Sequence, residues 1–269
     1  MHPPSAGILL VASGLSTPDA SIALAAFERR IQERFPGILL CRAFTARVKE
    51  RRINPVTGGE ESLAQALRFF AHAGVCHVAV QALHVIAGIE HDSLVADIAA
   101  YGPGLFPGAL SMGKPLLDTE EDVAELAQAL VVSGASELGD HEAILWVGHG
   151  SRHTGQNRYR LLASHLRDTL PPALVGAMHG NMGIPYILEE MAARHIRSVA
   201  VAPLLALPGS HAVHDVWGTN ENSWISQLRQ AGIACRPLVK GMVEYPHIEA
   251  LWLRRIEEAV FCSTLPAKV

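Results

Sequence analysis

The chain has 269 residues, 49% hydrophobic and 18% charged, with a formal net charge of −4. That balance excludes a disordered chain, and the absence of a strongly basic stretch argues against a nucleic-acid partner. No apolar run reaches about 18 residues, so neither a transmembrane helix nor a membrane partner is expected.

The N-terminus, Met1-His2-Pro3-Pro4, has no basic region followed by an apolar one, so no signal peptide is expected. Residues 7–14 form an apolar run that closes on Ser13-Gly14, which reads as a buried strand entering a tight turn. Thr17-Pro18-Asp19 predicts a helix start, with Thr17 as N-cap, and Pro36-Gly37 predicts its end. A strand over about Ile38 to Phe44, a helix over about Glu60 to Ala73 and a strand over Cys76 to Leu83 follow. The second half repeats this order. Strands are predicted from Ala143, over Leu174 to Met178 and over Ser198 to Leu205. Helices are predicted over about Asn157 to Thr169, Ile184 to Arg194 and His247 to Phe261.

The repetition extends to individual residues. Ile8-Leu9-x-Val11-x-x-Gly14 matches Ile144-Leu145-x-Val147-x-x-Gly150 at an offset of 136, and Val78-Ala79-Val80 with Gly88 matches Val199-Ala200-Val201 with Gly209 at 121. Near each half's end, Gly113-Lys114-Pro115-Leu116-Leu117 echoes Arg236-Pro237-Leu238-Val239-Lys240. A period this long means duplicated domains rather than a solenoid. The expected fold is α/β: two similar lobes, 1–136 and 137–269, each a parallel sheet flanked by helices, with a cleft between them. The boundary is expected in the Gly/Ser/Asp-rich stretch 133–140.

Ligands of parallel sheets bind outside the carboxyl ends of the strands. In the second half those ends carry His149, His179 and His211, three neutral imidazole donors suited to Co, Ni, Fe or Zn. Their first-half counterparts are Ser13, about Thr45, and Glu90, of which only Glu90 is a strong base or ligand. The bland alternative for each histidine is a turn cap or a satisfied buried residue. Gly148-His149-Gly150-Ser151 is not a nucleophile elbow, because histidine occupies the serine slot, and no orienting acid supports Ser151 as a nucleophile. Its glycines instead let a bulky planar ligand approach the backbone. His214 is read as supporting, Asp215 as an acceptor that orients a histidine, and His84 and His91 as core or ambiguous. Arg152 and His153 follow His149, and cations at that rim suit a polycarboxylate substrate. A second basic cluster, Arg42, Arg47, Lys49, Arg51 and Arg52, reads mainly as a solvated helix face. Cys41, Cys76, Cys235 and Cys262 form no C-x-x-C pair, which suits free thiols in a reducing, cytoplasmic setting.

Three segments together resemble the class II tetrapyrrole chelatases: residues 147–151, the Met178-His179 strand end, and Pro203-Leu204-Leu205 leading to Gly209-Ser210-His211-Ala212-x-x-Asp215. Within that group the chain is similar to the anaerobic-type sirohydrochlorin cobaltochelatases; Ala43-Phe44-Thr45 and Leu83-His84-Val85-Ile86-x-Gly88-x-Glu90 also fit. The resemblance implies insertion of Co²⁺ into sirohydrochlorin in cobalamin synthesis, without ATP and with no organic cofactor. Metal ligation is implied at His149 and His211. At the position of His179 some members carry glutamate, and a histidine there leaves Fe²⁺ or Ni²⁺ open as the metal. The site expected on this basis has His149 and Glu90 as catalytic groups, His149, His179 and His211 as metal ligands, and Ser13 and Arg152 as substrate contacts. A sirohaem-type ferrochelatase and a non-enzymatic metal or tetrapyrrole carrier are the alternative functions, and a homo-oligomer is left open.

Overall fold

The computed structural model describes residues 6–45, 62–151 and 154–261. Two four-stranded sheets, parallel throughout, form from the two halves. Strands β1 (Ala6–Ala12), β2 (Leu39–Phe44), β3 (His77–Ala82) and β4 (Ala109–Met112) lie in the order β2-β1-β3-β4. Strands β5 (Ala143–Gly148), β6 (Ala173–Ala177), β7 (Ser198–Leu204) and β8 (Ala234–Pro237) lie in the order β6-β5-β7-β8. Helices α1 (Pro18–Arg34), α2 (Leu63–His72), α3 (Ile89–Leu105) and α4 (Glu120–Ala135) follow the first four strands in turn. Helices α5 (Asn157–His165), α6 (Ile184–Ala193), α7 (Trp224–Gln230) and α8 (Pro246–Phe261) follow the second four.

Side-chain caps start three helices of the first half. Thr17 caps α1 by accepting from the Ala20 N–H, with Pro18 in the first turn. Ser62 with Gln65 and Thr119 with Asp122 close capping boxes on α2 and α4. The central strands β1, β3, β5 and β7 are buried on both faces, which is why they read as continuous apolar runs.

Strand pairing fixes the repeat. Gly7 pairs with Val78 and Ala143 with Val199, which keeps the offsets of 136 and 121. The β2 and β6 register differs by one from the sequence reading: Ala12 pairs with Phe44 and Gly148 with Ala177, an offset of 133. Thr45 is therefore the counterpart of Met178, and the counterpart of His179 is residue 46, outside the described residues. The echo near each half's end also shifts. Val80 pairs with Met112 and Val201 with Pro237, an offset of 125, so Leu238 and not Arg236 takes the place of Gly113.

Helices cover the outer face of each sheet and pack between the two sheets. Leu67, Phe70 and Leu94, from α2 and α3, cover one outer face, and Ile187, Met191, Ile225 and Leu228, from α6 and α7, cover the other. Between the sheets a continuous core joins Leu24 and Phe27 of α1, Val123, Leu126 and Leu130 of α4, Leu162 of α5, and Ile248, Trp252 and Ile256 of α8. The last helix of each half crosses over. Gly134 of α4 packs against Ile144 of β5, and α8 packs on β3, where Ser111 of β4 donates to the Ala259 carbonyl at 2.6 Å. The expected break at 133–140 is thus partly helix: α4 runs through Ser133 and Gly134, and the lack of a side chain at Gly134 admits close contact with Ile144 of the second sheet. At the helix crossing the buried Arg255 guanidinium pairs with the buried Asp122 carboxylate. No helix among the described residues is long and apolar enough to cross a membrane.

Candidate functional site

The carboxyl ends of β1 and β3 meet those of β5 and β7 across the middle of the molecule. Hydrogen bonds join the halves there: Ser16 Oγ accepts from the Ser210 N–H at 2.7 Å, and Thr17 Oγ1 donates to the Pro208 carbonyl at 2.8 Å. On the other side of the pseudo-dyad a Cβ on Gly88 would stand 3.7 Å from Ser151 Oγ, just as one on Gly209 would stand 3.2 Å from Ser16 Oγ.

All three strand-end histidines of the second half gather at this crevice. The His149 ring lies 4.9 Å from that of His179 and 4.8 Å from that of His211, nearly perpendicular to each. The backbone holds the first two together, with the His179 N–H donating to the His149 carbonyl at 3.0 Å. Gly150 makes this approach possible. It has φ 75°, and a Cβ there would fall 2.2 Å from the His179 carbonyl oxygen. Tyr159, fully buried, fills the space beside Gly148 and hydrogen-bonds with the Gly150 backbone, while Gln156 accepts from the Ser151 N–H at 2.9 Å. Neither Tyr159 nor Gln156 is marked by any motif; their role rests on contacts between separate elements.

Second partners set the histidine tautomers. His149 Nδ1 is 3.1 Å from the Gly150 carbonyl and His211 Nδ1 is 2.7 Å from the Asp215 carboxylate. Carbonyl and carboxylate oxygens only accept, so Nδ1 carries the proton in each ring and Nε2 presents the lone pair. Asp215 therefore orients His211, and the π-helical turn Ala212–Val216 carries the side chain that does so. His149 is held below the usual imidazole pKa, first by burial and then by His211 and His179, against the opposing Gly150 hydrogen bond and the Glu90 charge. A neutral imidazole is the form that ligates a metal. Among the described residues no group of three or more His, Cys, Asp or Glu side chains is preset to hold a metal ion.

On the first-half side, Glu90 stands in the opening turn of α3 and accepts from Ser13 Oγ at 3.1 Å. The structure thus brings Ser13 and Glu90 together, with Glu90 within electrostatic reach of His149. Thr45 follows β2 directly, with its hydroxyl buried. Behind Glu90 lies His84, buried, with Nε2 3.7 Å from Glu90 Oε2. Arg152 and His153, like Arg47, Lys49, Arg51 and Arg52, fall outside the described residues. Arg42 pairs with Glu28 at 3.3 Å.

The sequence pattern of the family described as cobalt chelatase (CbiK) matches residues 6–261. A sirohydrochlorin cobaltochelatase, CbiKC, of Nitratidesulfovibrio vulgaris is 35% identical over 254 residues, covering 94% of this chain and 90% of that protein. A sirohydrochlorin cobaltochelatase of Salmonella typhimurium is 30% identical over 255 residues, covering 94% and 96%. The structure of SirB from Bacillus subtilis with Fe³⁺ superposes with a TM-score of 0.67 at 16% identity, over 97% of each chain, a likeness of fold.

Proposed function

The chain belongs to the cobalt chelatase (CbiK) family, and we propose that it inserts Co²⁺ into sirohydrochlorin, a step of cobalamin synthesis, without ATP or an organic cofactor. Both curated relatives named above carry this activity in their names. The observation that carries the site assignment is the gathering of His149, His179 and His211 at the carboxyl ends of three strands, opposite Glu90. The proposal takes 1–136 and 137–269 as the two lobes, the second carrying the metal histidines, and places the protein in the cytoplasm.

In this reading the divalent cation is a substrate. His149, His179 and His211 receive it through neutral nitrogens and must give it up, so coordination has to be weak and exchangeable; a closed four-ligand cage would retain it. Insertion also removes two pyrrole protons. Glu90, across the cleft, is the base that accepts them. Ser13 and Arg152 contact the macrocycle. The glycines around His149 leave the backbone open to a flat ligand.

The test is a steady-state absorbance assay of sirohydrochlorin with Co²⁺, run in parallel with Fe²⁺. Turnover with Co²⁺ exceeding that with Fe²⁺ supports the proposal. Faster Fe²⁺ insertion makes the protein a ferrochelatase. Tight product binding without turnover makes it a carrier.

A further inference from the structure

A buried pair of histidines stands directly behind Glu90. The His84 side chain is 9% exposed, and neither of its ring nitrogens has a hydrogen-bond partner. His91, in the first turn of α3, packs edge to face on it with ring centroids 5.8 Å apart, and its two nitrogens are buried without a hydrogen bond as well. A buried polar group left in this state is destabilising, so the pair is not explained by packing alone. The fold does not require the pair: at the repeat offset of 121, the second half has Leu205 and Ala212 in these places. The groups facing the pair are acids. Glu90 Oε2 is 3.7 Å from His84 Nε2, and the partly exposed Asp92 carboxylate is 3.8 Å from His91 Nδ1. Asp118, from the loop before α4, also acts electrostatically on His91.

We infer that His84 and His91 form the proton exit of the insertion reaction, leading from Glu90 through the two rings to Asp92 and water. The inference rests on the function proposed above. As Co²⁺ enters, two pyrrolic N–H bonds break, their electron pairs go to the metal, and two protons leave; nothing is oxidised or reduced. Glu90 accepts one proton at a time. A small rotation of its exposed carboxylate closes the 3.7 Å gap to a hydrogen bond with His84 and empties Glu90 for the next proton. Burial, reinforced by His91 and opposed by Glu90, pushes His84 down to about 4. An imidazole lowered in this way releases a proton readily, so the proton is not trapped on the ring. His84 acts through Glu90 and is a positioning residue for proton flow.

The test uses the full chain with His84→Leu, which installs the residue of the second half, and His84→Gln, which keeps polarity and size without proton transfer. Turnover, KM for Co²⁺ and melting temperature are measured for each, alone and combined with Glu90→Gln. We expect kcat to fall at least about tenfold in both variants, with KM for Co²⁺ and the melting temperature of His84→Leu not impaired. Combined with Glu90→Gln, neither variant should lower kcat further, because both residues serve one path. Wild-type kcat in His84→Leu, or a rise in KM with kcat unchanged, overturns the relay. An unaffected Glu90→Gln overturns the role of Glu90 itself, and an inactive wild type overturns the proposed function.

Discussion

His84 makes a prediction that needs no substrate. Its imidazole is buried and neutral in the folded chain, with its pKa lowered from 6.5 to about 4. Between those values the unfolded chain binds a proton that the folded chain excludes, so this residue's contribution to stability is fully present above pH 6.5 and is lost as pH falls toward 4. At about 1.4 kcal/mol per pH unit, the fall from 6.5 to about 4 is on the order of 3 kcal/mol. Replacing His84 with Leu removes this term. Urea unfolding of wild type and His84→Leu, near neutrality and near pH 4, measures it. The variant should gain on the wild type by roughly 3 kcal/mol on acidification. His91 and His149, also lowered by burial, act in the same direction, while Glu244 and Glu249, raised by burial, act in the opposite one. All of these are present in both proteins, so the comparison isolates His84. If the two proteins lose stability in parallel, His84 is solvated or charged in the folded state and the reasoning fails.

Glu90→Gln keeps the shape and the Ser13 contact but cannot take a proton, so kcat should fall on the order of 100-fold while metal affinity holds. A collapse in metal affinity with kcat unchanged at saturating Co²⁺ would instead make Glu90 a ligand. Gly150→Ala places a Cβ against the His179 carbonyl at a φ of 75°. A loss of about 1–3 kcal/mol in thermal melts, together with slower turnover, is expected; an unchanged protein would mean that the His149–His179 contact is loose. Asp122→Ala leaves the buried Arg255 with only Glu258 and removes the N3 partner of the α4 cap. Chemical denaturation should show a loss of roughly 3–5 kcal/mol, and a loss below about 1 kcal/mol would show that water reaches the pair.

The repeat was legible because buried parallel strands write continuous apolar runs, and β1, β3, β5 and β7 are of that kind. The strand-end histidines were legible for the same reason, since a residue just past such a run stands at the ligand edge of the sheet. The edge strands β4 and β8 have only four residues each and carry too little pattern to fix their register. Helix α3 buries few of its residues, so no apolar stripe marks it, and its last turns hold Gly102 and Pro103, both poor helix formers. The exchange of α4 and α8 between the halves was hidden as well. Gly134 reads as a linker residue by composition, and only its contact with Ile144 explains its size. His84 follows an apolar strand and looks like core; its position behind Glu90 depends on how the loop after β3 folds back onto the start of α3.

A histidine cluster in the second half is proposed to carry metal insertion. The most direct measurement is Co²⁺ insertion into sirohydrochlorin by wild type, His149→Ala and His211→Ala, with circular dichroism confirming that each variant is folded. Turnover is expected from the wild type and none above background from either folded variant. Wild-type rates in both variants would contradict it.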